Sequence, residues 1–336
     1  MRLHVYRGLS LRDENIPRDV THVIVDDSVT VIKSSAFIFR QQLVSVVMTD
    51  KSKVIEIEMH AFSNCISLKY VRLAKALKYI GAHSFTSCHS LEVLVIPETV
   101  KRIDDAAFIC CISLNLPLLM GEINLEHMGQ LMISTTPIHD LVAKAKDQIH
   151  YEWTNHHNVI NGNGRGHGQV LITESSDRVN RWLLSYMDEY PLHKLCCNAN
   201  IAPKMIHDFL RQHGSGSALH VDTRNGMFPL HFLAMNPHAP AEVLFPLLYP
   251  DSDSDLEQHD NDDDNDDDDD DDEGNRNRNR NQNHRTQISS MLLDTAIRRD
   301  NHGSNPLHYA KEYNVGILVA LVSVLCNHRN STIRQA

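Results

Sequence analysis

The 336-residue sequence lacks the long apolar run that a membrane-spanning helix requires. Its longest run, Val315 to Cys326, covers 12 residues, whereas about 20 are needed to cross a bilayer. The N-terminal stretch has no apolar core of the length found in secretory signals. Seven cysteines, an odd number spread along the chain, do not form a secreted disulfide framework. We therefore expect no membrane partner and a cytoplasmic location, with the nucleus as the alternative.

The motifs that identify catalytic and nucleotide-binding sites are also missing. A glycine-rich stretch at 162–168 does not satisfy G-x-G-x-x-G, because His167 stands at one required position, and no Lys-Ser/Thr pair follows it. The sequence contains no nucleophile elbow, no kinase signature and no spacing typical of metal ligands. We therefore predict no enzymatic activity, no cofactor and no bound metal.

An excess of basic charge is absent too, since the formal net charge is −11 at pH 7. The acidity lies in one tract: between Asp251 and Glu273 there are 16 acidic residues and no basic ones. Outside this tract acids and bases nearly balance, so no basic face predicts nucleic-acid binding. Residues 251–285, which include the tract, have the composition of a disordered insert.

The acidic tract has two functional interpretations. It is either a solvated loop without a role of its own or an element through which the protein regulates basic partners. Its first residues begin like a calcium-binding loop, but Leu256 occupies the position that needs glycine, so a tight calcium site is not predicted. Ser252 and Ser254 each precede an acid by three residues. We take them as candidate phosphorylation sites, where a phosphate would add further negative charge.

The chain does contain a repeat. The motif Ala/Ser-Phe-x-x-Cys-x-x-Leu recurs every 23 residues, and an upstream copy, 25 residues earlier, has Arg40 in place of the cysteine. Its phenylalanines are Phe37, Phe62, Phe85 and Phe108. Alternating apolar residues such as Leu94 and Ile96 precede the motif and predict a short strand with one buried face. A fixed period near 23 indicates a solenoid, whose stacked coils bury one continuous apolar column.

This repeat resembles the BspA-type (treponemal) leucine-rich repeat, L-x-x-I-x-L-P-x-x-V-x-x-I-x-x-x-A-F-x-x-C-x-x-L, over residues 20–116. The resemblance implies about four coils of 23–25 residues, each with one short parallel strand, that bind partners and carry no chemistry. Arg40 departs from the cysteine position, which is typical of a capping coil. We predict that Cys65, Cys88 and Cys111 are buried apolar residues, in preference to a disulfide or metal role.

A second recurrence is the tripeptide Pro-Leu-His. Its copies begin at Pro191, Pro229 and Pro306. A second apolar segment follows each copy, and proline is favoured at the first position of a helix, so the pattern predicts helix–turn–helix units. The pattern resembles the ankyrin repeat over residues 175–328. The resemblance implies a structural hydrogen-bonding role, in preference to metal binding, for His193, His231 and His308.

The predicted fold is thus an α+β repeat solenoid. A leucine-rich-repeat solenoid of short parallel strands is followed by α-helical ankyrin-like helix–turn–helix repeats, which the disordered acidic insert interrupts. The predicted parts are an N-terminal segment (1–19), the leucine-rich repeats (20–116), a helical cap or connector (117–154), a flexible linker (155–174), the helical repeats (175–328, with the insert at 251–285) and a tail (329–336).

The exposed side of the repeat strands is the candidate partner-binding surface, because solenoids bind on such extended faces. The residues predicted on this surface are Lys69, Tyr70, Arg72, Glu92, Val93 and Val95. Tyr and Arg are among the residue types that most often dominate binding energy. We predict an intracellular protein–protein interaction scaffold or adaptor with unidentified protein partners, and regulation of basic partners through the acidic tract is the alternative.

Overall fold

The structure is a computed structural model, and it describes residues 1–10, 13–114, 116–119, 125–137, 186–250 and 290–335. The chain divides into two compact units, Met1–Asn200 and Ile201–Ala336. Within the described ranges, no helix combines the length and apolar character needed to cross a membrane. The predicted linker (155–174), the acidic insert (251–285), Ser252 and Ser254 lie outside the described residues.

The first unit is built from short parallel strands that alternate between two sheets. In chain order the strands are β1 (Leu3–Tyr6), β2 (His22–Val25), β3 (Val31–Ile32), β4 (Ser45–Met48), β5 (Glu56–Ile57), β6 (Tyr70–Arg72), β7 (Tyr79–Ile80), β8 (Val93–Ile96), β9 (Arg102–Ile103), β10 (Leu116–Leu119) and β11 (His127–Met128). We call the set β1-β2-β4-β6 the main sheet and the set β3-β5-β7-β9-β11 the second sheet. Strands β8 and β10 form a separate pair. Each coil therefore contributes one strand to each side, and the predicted solenoid of parallel strands is confirmed.

A turn segment closes the third side of each coil, and it is also bonded to the next coil. The N–H groups of His60, Phe62 and Asn64 donate to carbonyl oxygens of the following coil at 3.0, 2.7 and 2.8 Å. The first and third residues of each such trio have φ between 53° and 62° although none is glycine. These left-handed residues are Ser35, Phe39, His60, Asn64, His83, Ser87, Ala106, Cys110, Leu131 and Thr135. This backbone costs about 1–2 kcal/mol per residue, and from Ser35 to Cys110 the hydrogen bonds to the next coil offset that cost.

The core of the first unit is a column of stacked aromatic rings. Phe37, Phe62, Phe85 and Phe108 are buried, and successive ring centroids lie 5.1, 5.1 and 5.5 Å apart. Tyr6 of β1 closes the column at its N-terminal end, with its ring centroid 5.1 Å from that of Phe37. Aromatic pairs of this kind contribute about 0.5–1.5 kcal/mol each beyond the burial of their surface. The repeated phenylalanine therefore helps to hold consecutive coils together.

A column of thiols runs beside the aromatic column. Cys65, Cys88 and Cys111 are fully buried, and each thiol donates a hydrogen bond to a phenylalanine carbonyl of the preceding coil. These bonds join Cys65 to Phe37 (3.1 Å), Cys88 to Phe62 (3.3 Å) and Cys111 to Phe85 (3.1 Å). Burial raises the pKa of the Cys65 thiol to about 12. The prediction that these cysteines are buried structural residues is confirmed.

Residues 1–19, predicted as a segment preceding the repeats, form the N-terminal end of the solenoid. Strand β1 pairs with β2 in the main sheet, and the buried carboxylate of Glu14 accepts hydrogen bonds from the N–H groups of Arg7 (2.8 Å) and Leu9 (2.7 Å). Arg40, which replaces the first cysteine of the column, donates to the carbonyl oxygen of Ile16 at 3.1 Å. Arg40 thus ties the first coil to the segment that precedes it, in accord with its interpretation as a capping feature.

At the other end, the sequence predicts a helical cap or connector over residues 117–154. In the described residues 117–119 and 125–136 the structure contains no helix, and there the prediction is wrong. Strands β10 and β11 pair with β8 and β9, so the solenoid has a further coil. The N–H of Phe108 donates to the carbonyl oxygen of Met132 at 2.9 Å, which puts Ile133 in the position that phenylalanine holds elsewhere. The sequence hides this coil because Ile133 and Thr136 replace the motif's phenylalanine and cysteine.

The described part of the second unit is helical. One helix, α1 (Pro191–Cys196), belongs to the first unit. The helices of the second unit are, in chain order, α2 (Pro203–His213), α3 (Pro229–Met235), α4 (Leu244–Leu248), α5 (Pro306–Tyr313) and α6 (Val315–Gln335), and residues 290–295 are also helical. Helix α3 packs against α5, α5 against α6, and α2 against α4. The predicted helical character of this part of the chain is confirmed, with proline in the first turn of α1, α2, α3 and α5.

The turns that precede α3 and α5 lie side by side and are joined by one residue. The carboxylate of Asp300 accepts hydrogen bonds from two N–H groups of its own turn, both at 2.9 Å. Asn301 then donates from its backbone N–H to the carbonyl oxygen of Asn225 (2.8 Å) and from its side chain to that of Arg224 (3.0 Å). Gly226 has φ +68°, and a Cβ there would lie 2.6 Å from the Asn301 side chain, so glycine is favoured at this position.

The three Pro-Leu-His histidines have different surroundings. His231 is buried, and its Nδ1 accepts a hydrogen bond from the N–H of Phe228 at 3.1 Å, which caps the start of α3. Burial lowers the pKa of His231 to about 4, against the opposing effect of the Asp300 charge. His193 is also buried. His308 is exposed, and there Asn305 provides the cap by accepting the His308 N–H at 2.9 Å.

Candidate interaction surface

The outward face of the main sheet carries the side chains that alternate with the buried ones. On β6, Val71 is buried between Tyr70 and Arg72, which point away from the core. The register aligns Arg72 with Val47 of β4 and Val47 with Ile24 of β2. We call this surface, formed by Ile24, Val47, Tyr70 and Arg72, the main-sheet face. It combines an apolar strip with the tyrosine and the arginine predicted from the sequence.

Charges at this face are partly paired. The Arg72 guanidinium lies 2.8 Å from the Asp50 carboxylate, and Lys75 lies 3.8 Å from the same oxygen. Burial raises the pKa of the Tyr70 phenol, and the charge of Arg72 opposes that rise. Tyr70 and Arg72 are half-buried, as is Lys69, so a partner would meet side chains whose positions are already restricted.

Two of the predicted surface residues are not on the surface. Val93 and Val95 are 5% and 3% exposed, so the prediction that they line the exposed side of the strands is wrong. All four residues of β8 are buried. Such a strand reads as a continuous apolar run and not as an alternation, and the sequence Val-Leu-Val-Ile has that composition. Glu92, immediately before the strand, is exposed as predicted.

Other residues of the same unit lie at the end of β8. The carboxylate of Glu98 accepts a hydrogen bond from the N–H of Ala199 at 3.3 Å and another from the side-chain amide of Asn200. Residues more than 100 positions away along the chain are therefore placed beside this strand. Among the described residues, the outward side chains of β2, β4 and β6, where the main-sheet face lies, are half-buried or exposed.

A second group of polar side chains, missed from the sequence, lies on the outer side of the second sheet. Tyr79, Arg102 and His127 occupy equivalent positions on β7, β9 and β11, and all three reach one carboxylate, that of Asp104. The Tyr79 hydroxyl donates to it, Arg102 Nε lies 2.7 Å from Oδ1, and His127 Nε2 lies 3.6 Å from Oδ1. We call these four residues the Asp104 cluster.

Electrostatics keep the Tyr79 phenol neutral and the Asp104 carboxyl ionised at neutral pH. Burial and the Asp104 carboxylate together raise the pKa of Tyr79 to about 12. Burial alone would raise the pKa of Asp104, but the hydrogen bonds from Tyr79 and Arg102 lower it below its ordinary value. The Arg102 guanidinium carbon lies 5.7 Å from the centroid of the Tyr79 ring, within the range of a cation–π contact. The tyrosine is thus neutral and the arginine charged, and both are oriented by one acceptor.

The sequence does carry a signal for this cluster. Glu56, Tyr79 and Arg102 each lie directly before the buried isoleucine of a second-sheet strand, and His127 holds the equivalent position before the half-buried Met128. The repeat pattern defines the apolar residue that follows and leaves this position variable. A search for large polar residues at variable positions of consecutive coils would have identified it.

The arrangement is suited to binding. A tyrosine whose pKa is about 12 is not a base at neutral pH, and the Asp104 carboxylate already accepts hydrogen bonds from Tyr79 and Arg102. Among the residues that the structure describes, no three His, Cys, Asp or Glu side chains are placed to hold a metal ion. The cluster offers a partner a tyrosine and an arginine that are oriented by one carboxylate on a parallel sheet.

In comparison with known proteins, the repeat matches a family model over about a third of the chain. Residues 17–132 match the model of the BspA type leucine rich repeat region in six copies, so the predicted number of about four coils over 20–116 is too low. No curated protein matches the chain.

Solved structures of leucine-rich repeat proteins also match. A leucine rich repeat protein of T. pallidum is 24% identical, with a TM-score of 0.31, and the match covers 34% of this chain and 55% of that one. A leucine-rich repeat protein from Bacteroides ovatus is 21% identical, with a TM-score of 0.28, and the match covers 40% of this chain and 35% of that one. The chain thus spans about half or less of the length of these proteins.

Proposed function

We propose that this chain is a protein–protein interaction scaffold or adaptor without catalytic activity, and that its leucine-rich-repeat solenoid binds the partner. The observation that carries the proposal is the Asp104 cluster, in which Tyr79 and Arg102 share one acceptor. Side chains that are ordered before binding lose less conformational entropy when the partner arrives. Tyrosine and arginine are also the types enriched among residues that dominate binding energy.

The main-sheet face is the second surface through which the solenoid would act. Its apolar residues Ile24 and Val47 adjoin Tyr70 and Arg72, the combination of apolar centre and polar anchors found at protein interfaces. We propose protein partners, in preference to nucleic acid or membrane, and a cytoplasmic location with the nucleus as the alternative. Regulation of basic partners through the acidic tract remains the competing proposal.

We also propose that the helices of the second unit are ankyrin-like repeats. Three observations support this. Helices α3 and α5 each begin with Pro-Leu-His and are each followed by a second helix. His231 caps α3 through its ring nitrogen. The turns before α3 and α5 are joined by hydrogen bonds from Asn301, as adjacent units of an array would be.

The function is tested by comparing the proteins that the full chain and its variants capture from native lysate. Tyr79→Ala/Arg102→Ala removes the anchors of the Asp104 cluster, and Tyr70→Ala/Arg72→Ala those of the main-sheet face. Lys51→Ala/Lys53→Ala, on an exposed turn of the same solenoid, is the matched control. We expect a set of proteins, identified by mass spectrometry, that the control retains and the Tyr79/Arg102 variant loses at least tenfold, equivalent to about 1.4 kcal/mol.

Two results would redirect the proposal. Loss confined to the Tyr70/Arg72 variant would assign binding to the main-sheet face. If capture survives both solenoid variants and disappears when residues 251–285 are deleted, the acidic tract is favoured as the binding part. Such binding should also weaken steeply with salt, because it is electrostatic. Capture unaffected by any of the three changes would contradict the solenoid as the binding part.

A further inference from the structure

The outer side of the second sheet carries charges in a fixed order. Glu56, Tyr79, Arg102 and His127 hold equivalent positions on β5, β7, β9 and β11, and we call these four residues the second-sheet row. Along the solenoid the row is acidic on β5, neutral and aromatic on β7, and basic on β9. The side chains of Arg102 and His127 are 56% and 47% exposed, and Glu56 and Tyr79 are half-buried. A partner could therefore reach every position of the row.

The residues directly before the members of the row extend this order. They are Ile55, Lys78, Lys101 and Glu126. The N–H of Lys101 donates to the carbonyl oxygen of Lys78 at 2.8 Å, so the two lysines lie side by side on neighbouring coils. Within the described part of the chain, neither ammonium group has a hydrogen bond or an ion pair. Positive charge is thus concentrated on the coils of β7 and β9, between an acid on β5 and another just before β11.

The spacing of the row matches that of an α-helix. Neighbouring strands of a sheet lie about 4.8 Å apart, so Glu56 and Arg102, two strands apart, are separated by about 10 Å. A helix rises about 1.5 Å per residue, which places residues i+3 or i+4 about 5 Å, and residue i+7 about 10.5 Å, beyond residue i on the same face. A helix lying across the strands would therefore meet each coil with one residue per turn.

An extended segment does not have this spacing. Its side chains face the same side at every second residue, about 6.7 Å apart, so after two steps it is out of register with the row by about 4 Å. Addition of a further strand is not available either, because β5, β7 and β9 are each paired on both sides within the second sheet. The geometry of the row thus favours a helical partner over an extended one.

We propose that the second-sheet row binds an α-helix of a partner protein that presents a basic and an acidic residue seven positions apart, with an apolar residue between them. The inference rests on the function proposed above and names the chemistry of the partner. The base of the helix meets Glu56, its acid meets Arg102, and its apolar residue, at i+3 or i+4, packs on the ring of Tyr79.

Each member of the row has a group available for its contact. The Glu56 carboxylate has no hydrogen bond or ion pair with any other residue that the structure describes. Arg102 uses Nε for Asp104 at 2.7 Å, which leaves its two terminal nitrogens for a carboxylate in bidentate geometry. The Tyr79 hydroxyl already donates to Asp104, so its ring remains for the partner. Exposed ion pairs add little affinity, and their main effect is on which helices bind.

Selection from a library of helical peptides against the full-length chain tests the proposal. Each phage displays several copies of an alanine-rich helix of about 20 residues, so that avidity retains weak binding. Positions i, i+4, i+7 and i+11, on one face, are randomised among Lys, Glu, Leu and Ala. For the wild-type chain we expect helices with one base and one acid seven positions apart, in either order, to be enriched about tenfold over helices with two like charges there.

Charge-reversed variants identify the residues responsible. Glu56→Lys should turn the preferred pair into two acids, and Arg102→Glu should turn it into two bases. Glu92→Lys is the matched control, because it makes the same change of charge as Glu56→Lys at an exposed residue outside the second sheet, and it should keep the wild-type preference. Unchanged thermal unfolding shows that the variants fold. If Arg102→Glu unfolds because of its proximity to Asp104, Glu56→Lys decides alone.

Four results would overturn the proposal. They are a selection that enriches no helix, a preferred pair that Glu56→Lys leaves unchanged, a preferred pair that Glu92→Lys changes equally, and a preference for charges four positions apart, which stabilise the peptide helix itself. These results are separate from the proposed function. If the Tyr79→Ala/Arg102→Ala variant loses captured proteins while the selection returns no such helix, the solenoid binds partners of another shape and only the helix is excluded.

Discussion

The thiol of Cys88 donates a hydrogen bond to the carbonyl oxygen of Phe62, 3.3 Å away in the preceding coil. The equivalent bonds of Cys65 and Cys111 repeat this relationship along the solenoid. The cysteine therefore has two roles: it fills the core as a small apolar side chain, and its thiol links two coils by bonding to a carbonyl oxygen that also accepts an N–H of its own turn.

Chemical labelling should separate these thiols from the exposed one. At pH 8 we expect Cys326 to react with N-ethylmaleimide, and Cys65, Cys88 and Cys111 to remain unmodified in the native protein. Burial raises the pKa of Cys65 to about 12 and that of Cys88 well above its ordinary value, and the thiolate is the reactive form. Peptide mass spectrometry gives the extent at each site, and labelling in denaturant is the control. Equal native rates for Cys326 and Cys88 would contradict the buried column.

Truncation of the aromatic column should be costly, and truncation at the surface should not. We expect Phe62→Ala to lower the free energy of unfolding of the solenoid by about 3–5 kcal/mol, because a ring stacked between two others is lost and a cavity remains. Phe39→Ala is the matched control: Phe39 is 59% exposed, and its loss should cost about 0.5 kcal/mol or less. Denaturant titration measures both. Similar costs for the two variants would argue against the column as the main support.

Two glycines with positive φ allow steric contact to be separated from backbone strain. Gly214→Ala meets no atom within 4 Å, but φ 86° and ψ 146° place it in a backbone region that is essentially restricted to glycine, so strain alone should cost about 1–3 kcal/mol. Gly226→Ala combines a positive φ with a contact of 2.6 Å to the Asn301 side chain, and about 1–2 kcal/mol of its cost should come from that contact. Denaturant unfolding followed by far-UV circular dichroism gives both values. In a Gly226→Ala/Asn301→Ala double variant the costs should be less than additive, and strict additivity would contradict the link between the two turns.

The buried imidazole of His231 should make the second unit sensitive to acid. Because burial lowers its pKa to about 4, the folded state binds a proton less readily than the unfolded state, whose histidine titrates near 6.5. Stability is therefore full above about pH 6.5 and falls as the pH drops toward 4, by at most about 3 kcal/mol. Denaturant titrations at several pH values should show a shallower pH dependence in His231→Gln. His308→Gln, at the exposed equivalent position, should leave the slope unchanged, and equal slopes in all three proteins would contradict this role.

The sequence predicts those parts of the fold that rest on repetition. Phe62, Cys65 and their equivalents recur at fixed spacing, so their burial and the strands between them follow from the pattern. The last coil was missed because Ile133 and Thr136 preserve apolar or small character without the motif's residue types. Physically, a coil needs volume at those positions, and several residue types provide it.

The exposure of individual side chains was harder to predict, because it depends on which other parts of the chain pack against a strand. Val93 and Val95 occupy outward strand positions, yet both are buried. The Asp104 cluster arises from positions that the repeat leaves variable, and it exists because the register brings three coils together. For α6, the apolar run predicts a helix, but tertiary packing decides which side is covered.

The left-handed residues in the turn segments have a consequence for protein engineering. Every described coil from Ser35 to Thr135 repeats the same two positive-φ positions, and Ala106 and Leu131 occupy them with side chains that offer no local compensation. Replacing Leu131 with asparagine, which tolerates this conformation better, should raise thermal tolerance. These positions lie in the turns and belong to neither sheet, so a heat-resistant form of the solenoid could be made while its two candidate binding faces keep their native residues.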